Sequence, residues 1–126
     1  MANTAPHESI EQLKPETLNL HRAIVSLIEE LEAIDWYYQR AEACTDAELK
    51  AILIHNMDEE VEHACMVLEW LRRHVSQFDD MLKTYLFTPG KMTKIEKENA
   101  EPIAPERKNE LRQWRRTIGD LKPTDA

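Results

Sequence analysis

The chain has 126 residues, with 24 acidic against 16 basic side chains and a net charge of −8. That balance argues against nucleic acid as a partner, and no apolar run approaches the roughly 20 residues a membrane span needs. Two cysteines, Cys44 and Cys65, are too few for a disulfide framework, and with no secretory leader pattern at the start they predict a reducing, cytoplasmic setting. The scarcity of glycine and of alternating apolar residues predicts an all-α fold.

Residues 1–14 read as an N-terminal arm, in which Ser9 and Gln12 suit a short turn. Pro15 fits the first position of a helix, where its missing N–H costs nothing, and Glu16 sits at the positive end of the helix dipole. The first helix is predicted over Pro15 to Ala43, with Leu20, Ile24, Leu27, Leu31, Ile34, Tyr38 and Ala41 forming a heptad stripe. Thr45-Asp46-Ala47-Glu48 carries a capping-box signal, so a second helix begins there and runs to about His74. Its inner face is predicted to hold Leu49, Ile52, Leu53, Asn56, Met57, Glu60, Ala64, Val67, Leu68 and Leu71. Phe78 to Phe87 reads as a short third helix ended by Thr88-Pro89-Gly90. The folded domain is thus 15–88. Residues 89–109 read as a flexible linker rich in Lys, Glu, Asn, Pro and Ala, and 110–126 as a basic, apolar docking tail with Leu111, Trp114, Ile118 and Leu121 at helical spacing. A core of about 85 residues is marginal alone and predicts assistance from metal or oligomerisation.

Glu60 and His63, three residues apart, share a face with Leu53, Met57, Ala64, Val67 and Leu71. An unpaired carboxylate is expensive there, but pairing or metal binding makes it tolerable. Glu30 lies 15 residues before position 45, and Glu60 lies 15 after it. In an antiparallel hairpin both carboxylates therefore fall at one level, about 22 Å from the turn. A ferritin-like dinuclear site needs one Glu from each of two helices and Glu-x-x-His from each of two others. This chain carries one copy of each element. Two hairpins dimerising into a four-helix bundle would supply four carboxylates and two imidazoles for two metals, a donor set suited to Fe(II) or Mn(II). Glu29, Glu32 and Asp35 form an acidic strip that is either a solvated face or a cation path towards Glu30. Trp36, Tyr37 and Tyr38 read first as interface packing, although Tyr37 lies two turns from Glu30 and can reach a ligand. His21, His55 and His74 read as ordinary helix histidines.

Three segments carry a family resemblance: His21-Arg-Ala-Ile-Val-Ser-Leu-Ile-Glu-Glu-Leu-Glu-Ala-Ile-Asp-Trp-Tyr37, Leu68-Glu-Trp-Leu-Arg-Arg73 and Thr84-Tyr-Leu-Phe87. So do His55-Asn56, Glu59-Glu60 and Glu62-His63. Together they resemble the encapsulated ferritin-like proteins carried as cargo inside bacterial encapsulin nanocompartments. The resemblance implies a ferroxidase at a dimer interface, with Glu30, Glu60 and His63 as ligands to two irons and Tyr37 beside the centre. It further implies that Glu29, Glu32 and Trp36 form a metal-access site for calcium or another divalent ion. The implied assembly is a decameric ring of dimers within the encapsulin shell, where iron is stored. Thr117, Ile118, Gly119 and Leu121 are similar to the short shell-targeting peptide of that family, with Asp120 where a small hydroxyl residue is usual. Two other readings were open from the residues: a non-catalytic metal-binding helical scaffold, and a rubrerythrin- or hemerythrin-like handler of oxygen or peroxide.

Overall fold

The computed structural model describes residues 4–100, so the targeting residues Thr117, Ile118, Gly119 and Leu121 lie outside the described residues. Among those described there are four helices and no strand: α1 (Pro15–Ala43), α2 (Ala47–His74), α3 (Ser76–Tyr85) and α4 (Met92–Glu98). A 3-10 turn at Ile10–Gln12 precedes them, closed by the Gln12 N–H donating to the Ser9 carbonyl at 3.0 Å. None of the described helices is long and apolar enough to cross a membrane.

Helix α1 has the predicted bounds, with Pro15 in its first turn where no intrahelical N–H is lost. It ends at Cys44, whose extended backbone leads into the three-residue turn to α2. The second helix is capped by Asp46, whose Oδ1 accepts the Leu49 N–H at 2.8 Å. The cap therefore sits one residue later than the Thr45-x-x-Glu48 box, because the carboxylate of Asp46 reaches the third-residue N–H as an N-cap does. Arg72, Arg73 and His74 close α2 at its negative end. So short a turn makes the two helices antiparallel neighbours, and they pack along their length.

The packing seam differs from the predicted stripe. On α1 one column of buried or half-buried positions runs through Leu20, Ala23, Leu27, Glu30, Ile34, Tyr37 and Ala41, stepping by three and four. Ile24, Leu31 and Tyr38 are 37%, 54% and 62% exposed. The seam is thus shifted by one residue column, so that Glu30 belongs to it. Facing it on α2 are Leu53, Met57, Glu60, Ala64, Val67 and Leu71. Leu49 and Ile52, predicted to face inwards, are 48% and 50% exposed. Buried Ala41 and Ala64 leave no bulk between the helices, and close approach turns the flanking apolar columns outwards.

Among the described residues, those from 75 to 100 belong to a second unit. Helix α3 starts and ends two residues before its predicted bounds. Leu86 is already extended, and Phe87 takes a left-handed φ of 59°, the cap conformation usually left to glycine. Thr88 Oγ1 closes the turn by donating to the Tyr85 carbonyl at 2.7 Å. Helix α4 falls inside the segment predicted as linker. It is only seven residues long, too short for an apolar periodicity to register in the sequence.

Candidate metal centre

Glu30 projects from the middle of α1, and Glu60 and His63 from one face of α2. Their donor atoms all lie within 4.8 Å of one another, the only such cluster of three or more potential ligands among the described residues. The His63 Nδ1 lies 3.4 Å from Glu60 Oε2 and 3.7 Å from Glu30 Oε2. The equal spacing of residues 30 and 60 from the turn thus delivers the convergence it predicts. The carboxylates are each 25% exposed and the imidazole 49%, so the cluster opens to one flank of the hairpin.

Two carboxylates so close cannot both ionise freely. A hydrogen bond shared with Glu60 raises the Glu30 carboxyl above its ordinary value, assisted by partial desolvation and by the charge of Glu60. The same hydrogen bond lowers Glu60, and a further hydrogen bond from His63 lowers it again. As pH falls, Glu30 is therefore the first of the pair to take up a proton and Glu60 the last. An ion holding donors at about 2.1 Å keeps them about 3–4 Å apart, so small rotations of these side chains would gather all three around one cation. Two carboxylates and one imidazole per chain, with an open flank, leave coordination positions for a second set of ligands.

The other predicted site residues lie around this cluster. Tyr37 is half-buried in the seam, two turns beyond Glu30. Glu29 and Trp36 are exposed and Glu32 is half-buried; within one chain they do not join a ligand cluster. Arg40 was missed: its guanidinium lies 5.7 Å from the Tyr37 ring centre and 6.0 Å from that of Trp36. The spacing of three and four residues on a helix was the available signal. His55, read as ordinary, pairs with Glu59 at 3.1 Å on the outer surface.

A glutamate from one helix and Glu-x-x-His from the next, gathered on one flank of a long helical hairpin, is the pattern of the ferritin-like class of helical proteins. A profile of the EncFtn-like family matches residues 5–89, and the chain belongs to that family. It is 60% identical over 95 residues to the encapsulated ferritin-like protein of Rhodospirillum rubrum, covering 75% of this chain and 68% of that one. It is 33% identical over 129 residues to the encapsulin nanocompartment cargo protein EncC of Myxococcus xanthus, covering 97% and 99%. Among solved structures, the protein ne0167 from Nitrosomonas europaea superposes with a TM-score of 0.69 at 57% identity, over 70% of this chain and 97% of that one.

Proposed function

We propose that this protein is a ferroxidase cargo of an encapsulin compartment, oxidising Fe(II) to Fe(III) at a centre formed between two copies of the chain. The observation that carries this reading is the convergence of Glu30, Glu60 and His63 on one open flank of the hairpin. One hairpin offers half of the ligand set of a dinuclear carboxylate site, and a two-fold axis through that flank supplies the rest. Two Fe(II) ions bound as substrate each give up one electron, and dioxygen or peroxide takes the pair.

Tyr37 sits in the seam near the cluster, placed to hydrogen-bond a ligand on the irons. Glu29, Glu32 and Trp36 form the access route for incoming cations once two acidic flanks face each other, with a site for calcium or another divalent ion. Ile24, Leu31 and Tyr38 on α1, with Ile54 and Val61 on α2, expose a second apolar flank opposite the cluster. That flank supports further association of dimers into a ring, a decamer in our reading. The two encapsulated relatives support delivery to a shell. We assign this delivery to Thr117, Ile118, Gly119 and Leu121, with Ile118 and Leu121 filling apolar pockets.

The test is Glu30→Ala in the full chain, followed by anaerobic Fe(II) loading and admission of air. Loss of a ligand shared by the centre should slow oxidation by about tenfold or more, since even changes to outer groups cost metal sites 10–100-fold. Oxidation at the wild-type rate with iron bound per dimer at the wild-type ratio would overturn the assignment. The non-catalytic scaffold reading predicts bound iron with no dioxygen uptake in either protein.

A further inference from the structure

Arg40 lies in the last turn of α1, and its carbonyl accepts the Cys44 N–H at 2.9 Å, so the helix end fixes its backbone. The residues three and four positions from it are Trp36, Tyr37, Ala43 and Cys44, none of them acidic. Its own helix therefore offers no carboxylate at the spacing of an ion pair. Among the described residues its guanidinium interacts with two rings, the Tyr37 ring centre at 5.7 Å and that of Trp36 at 6.0 Å. Other arginines behave differently: Arg72 and Arg73 pair with Glu69, and Arg22 donates to Asn19. Side chains on a helix lean towards its N-terminus, so Arg40 reaches back over both rings. By the same tilt Tyr37 leans towards the level of Glu30, seven residues earlier. Tyr37 is half-buried in the seam, whereas Trp36 is exposed, four residues after Glu32 and seven after Glu29. One guanidinium thus spans an inner ring and an outer one.

We infer that Arg40 is a positioning residue for the metal centre: its planar guanidinium holds Tyr37 and Trp36 together, so that the ring near the cluster and the ring on the cation route keep one arrangement. This rests on the roles proposed above for Tyr37 and Trp36. A cation against one exposed ring contributes little, but two such contacts from one side chain favour the held arrangement by about fivefold. Arginine suits this use better than lysine, because a guanidinium is a plane that stacks on ring faces while an ammonium is a compact, strongly hydrated charge. The position has a plainer use as well, since a cation in the last turn complements the helix dipole. Lysine serves that plainer use equally, and exchanging the two separates them.

The full chain labelled with fluorotryptophan, and separately with fluorotyrosine, is measured by fluorine NMR in chelator, with the two signals assigned from Trp36→Phe and Tyr37→Phe. Arg40→Lys should move both signals towards their positions in unfolded protein, while the signal of Trp70, which Arg40 does not touch, stays in place. Arg40→Gln should move them at least as far. Unmoved Trp36 and Tyr37 signals in Arg40→Lys would overturn the inference, because charge at the helix end would then suffice. So would a Trp70 signal displaced as far as that of Trp36, the mark of a general loosening of the hairpin. In the second measurement, Fe(II) oxidation in air, Arg40→Lys should raise the Fe(II) concentration for half-maximal rate by about threefold or more and leave the rate at saturation within about twofold. Rings that shift while the kinetics stay at wild-type values would reduce the contact to packing and also overturn the inference. Wild-type protein that binds Fe(II) and does not oxidise it would defeat the ferroxidase reading, while the fluorine signals still decide whether Arg40 holds the rings.

Discussion

Replacing Glu30 with Gln separates what the cluster costs the fold from what it does. The two carboxylates lie within 4.8 Å, where like charges repel by about 1 kcal/mol in a water-like dielectric and about 2 kcal/mol at an effective dielectric of about 40. Each is 25% exposed, so the lower figure applies. The amide of Gln still donates a hydrogen bond to Glu60 and removes the repulsion. With chelator at pH 7, Glu30→Gln should therefore melt several degrees higher than wild type, since about 1 kcal/mol moves a domain of 60–100 residues by about 4–8 °C. The sign depends on pH in a definite way. The Glu30 carboxyl is raised in the fold, so the stability its protonated form contributes is complete below the ordinary value of 4.5 and is lost as pH rises through the raised value. The advantage of Gln should accordingly vanish below about pH 4.5 and grow towards neutrality. Mn(II) should reverse the order, stabilising wild type and leaving the variant unmoved. Circular dichroism melts at fixed protein concentration, with chelator and with Mn(II), measure all three effects. A variant that melts lower than wild type in chelator at pH 7, or that keeps the full Mn(II) shift, would refute the reasoning.

Three further outcomes follow from the packing. Leu71, fully buried in the seam, should cost about 2–5 kcal/mol when cut to Ala, read as a drop in the denaturant midpoint. Asp46→Ala removes the acceptor of the Leu49 N–H and should cost about 1 kcal/mol, an effect Asp46→Asn largely restores. Glu69, held down to about 2 by hydrogen bonds from Arg72 and then Arg73, contributes stability that is present above 4.5 and lost as pH falls towards 2. Glu69→Gln should thus melt lower than wild type at pH 7, and the gap should narrow steadily as pH falls from 4.5 towards 2 in a series of melts.

The two long helices were legible because their punctuation is local: Pro15 opens one, and a short polar turn ending in Asp46 separates them. The site was legible for a similar reason, since helix rise converts sequence distance from the turn directly into height. The seam was less so. Ile24, Leu31 and Tyr38 are as apolar as the residues that do pack, and a pattern read from one chain cannot tell which apolar column meets the neighbouring helix and which is left outside. Only the alanines distinguish them, because Ala23, Ala41 and Ala64 permit an approach that larger residues prevent. Helix α4 was invisible for lack of length, and Arg40 because cation–π pairing leaves no mark on hydropathy.

The shift of the seam bears on why such a chain would work in pairs. A single hairpin has two helix flanks to cover and only one internal neighbour per helix, so any apolar residue outside the seam is exposed unless another chain covers it. Among the described residues the apolar side chains buried in the hairpin are Leu20, Ala41, Ala64 and Leu71, few for two helices of 29 and 28 residues. Glu30 and Glu60 occupy seam positions where leucine would add stability, and the raised Glu30 carboxyl beside the lowered Glu60 is the sign of that conflict. A sequence selected only for a stable monomer would not keep both carboxylates there. Placed between two hairpins, the same residues relieve the conflict twice over: cations neutralise the charge, and the flanking apolar residues lose their water. On this argument the thin core of the single hairpin and the gathering of its carboxylates have one physical origin, and metal loading and dimer stability should rise and fall together.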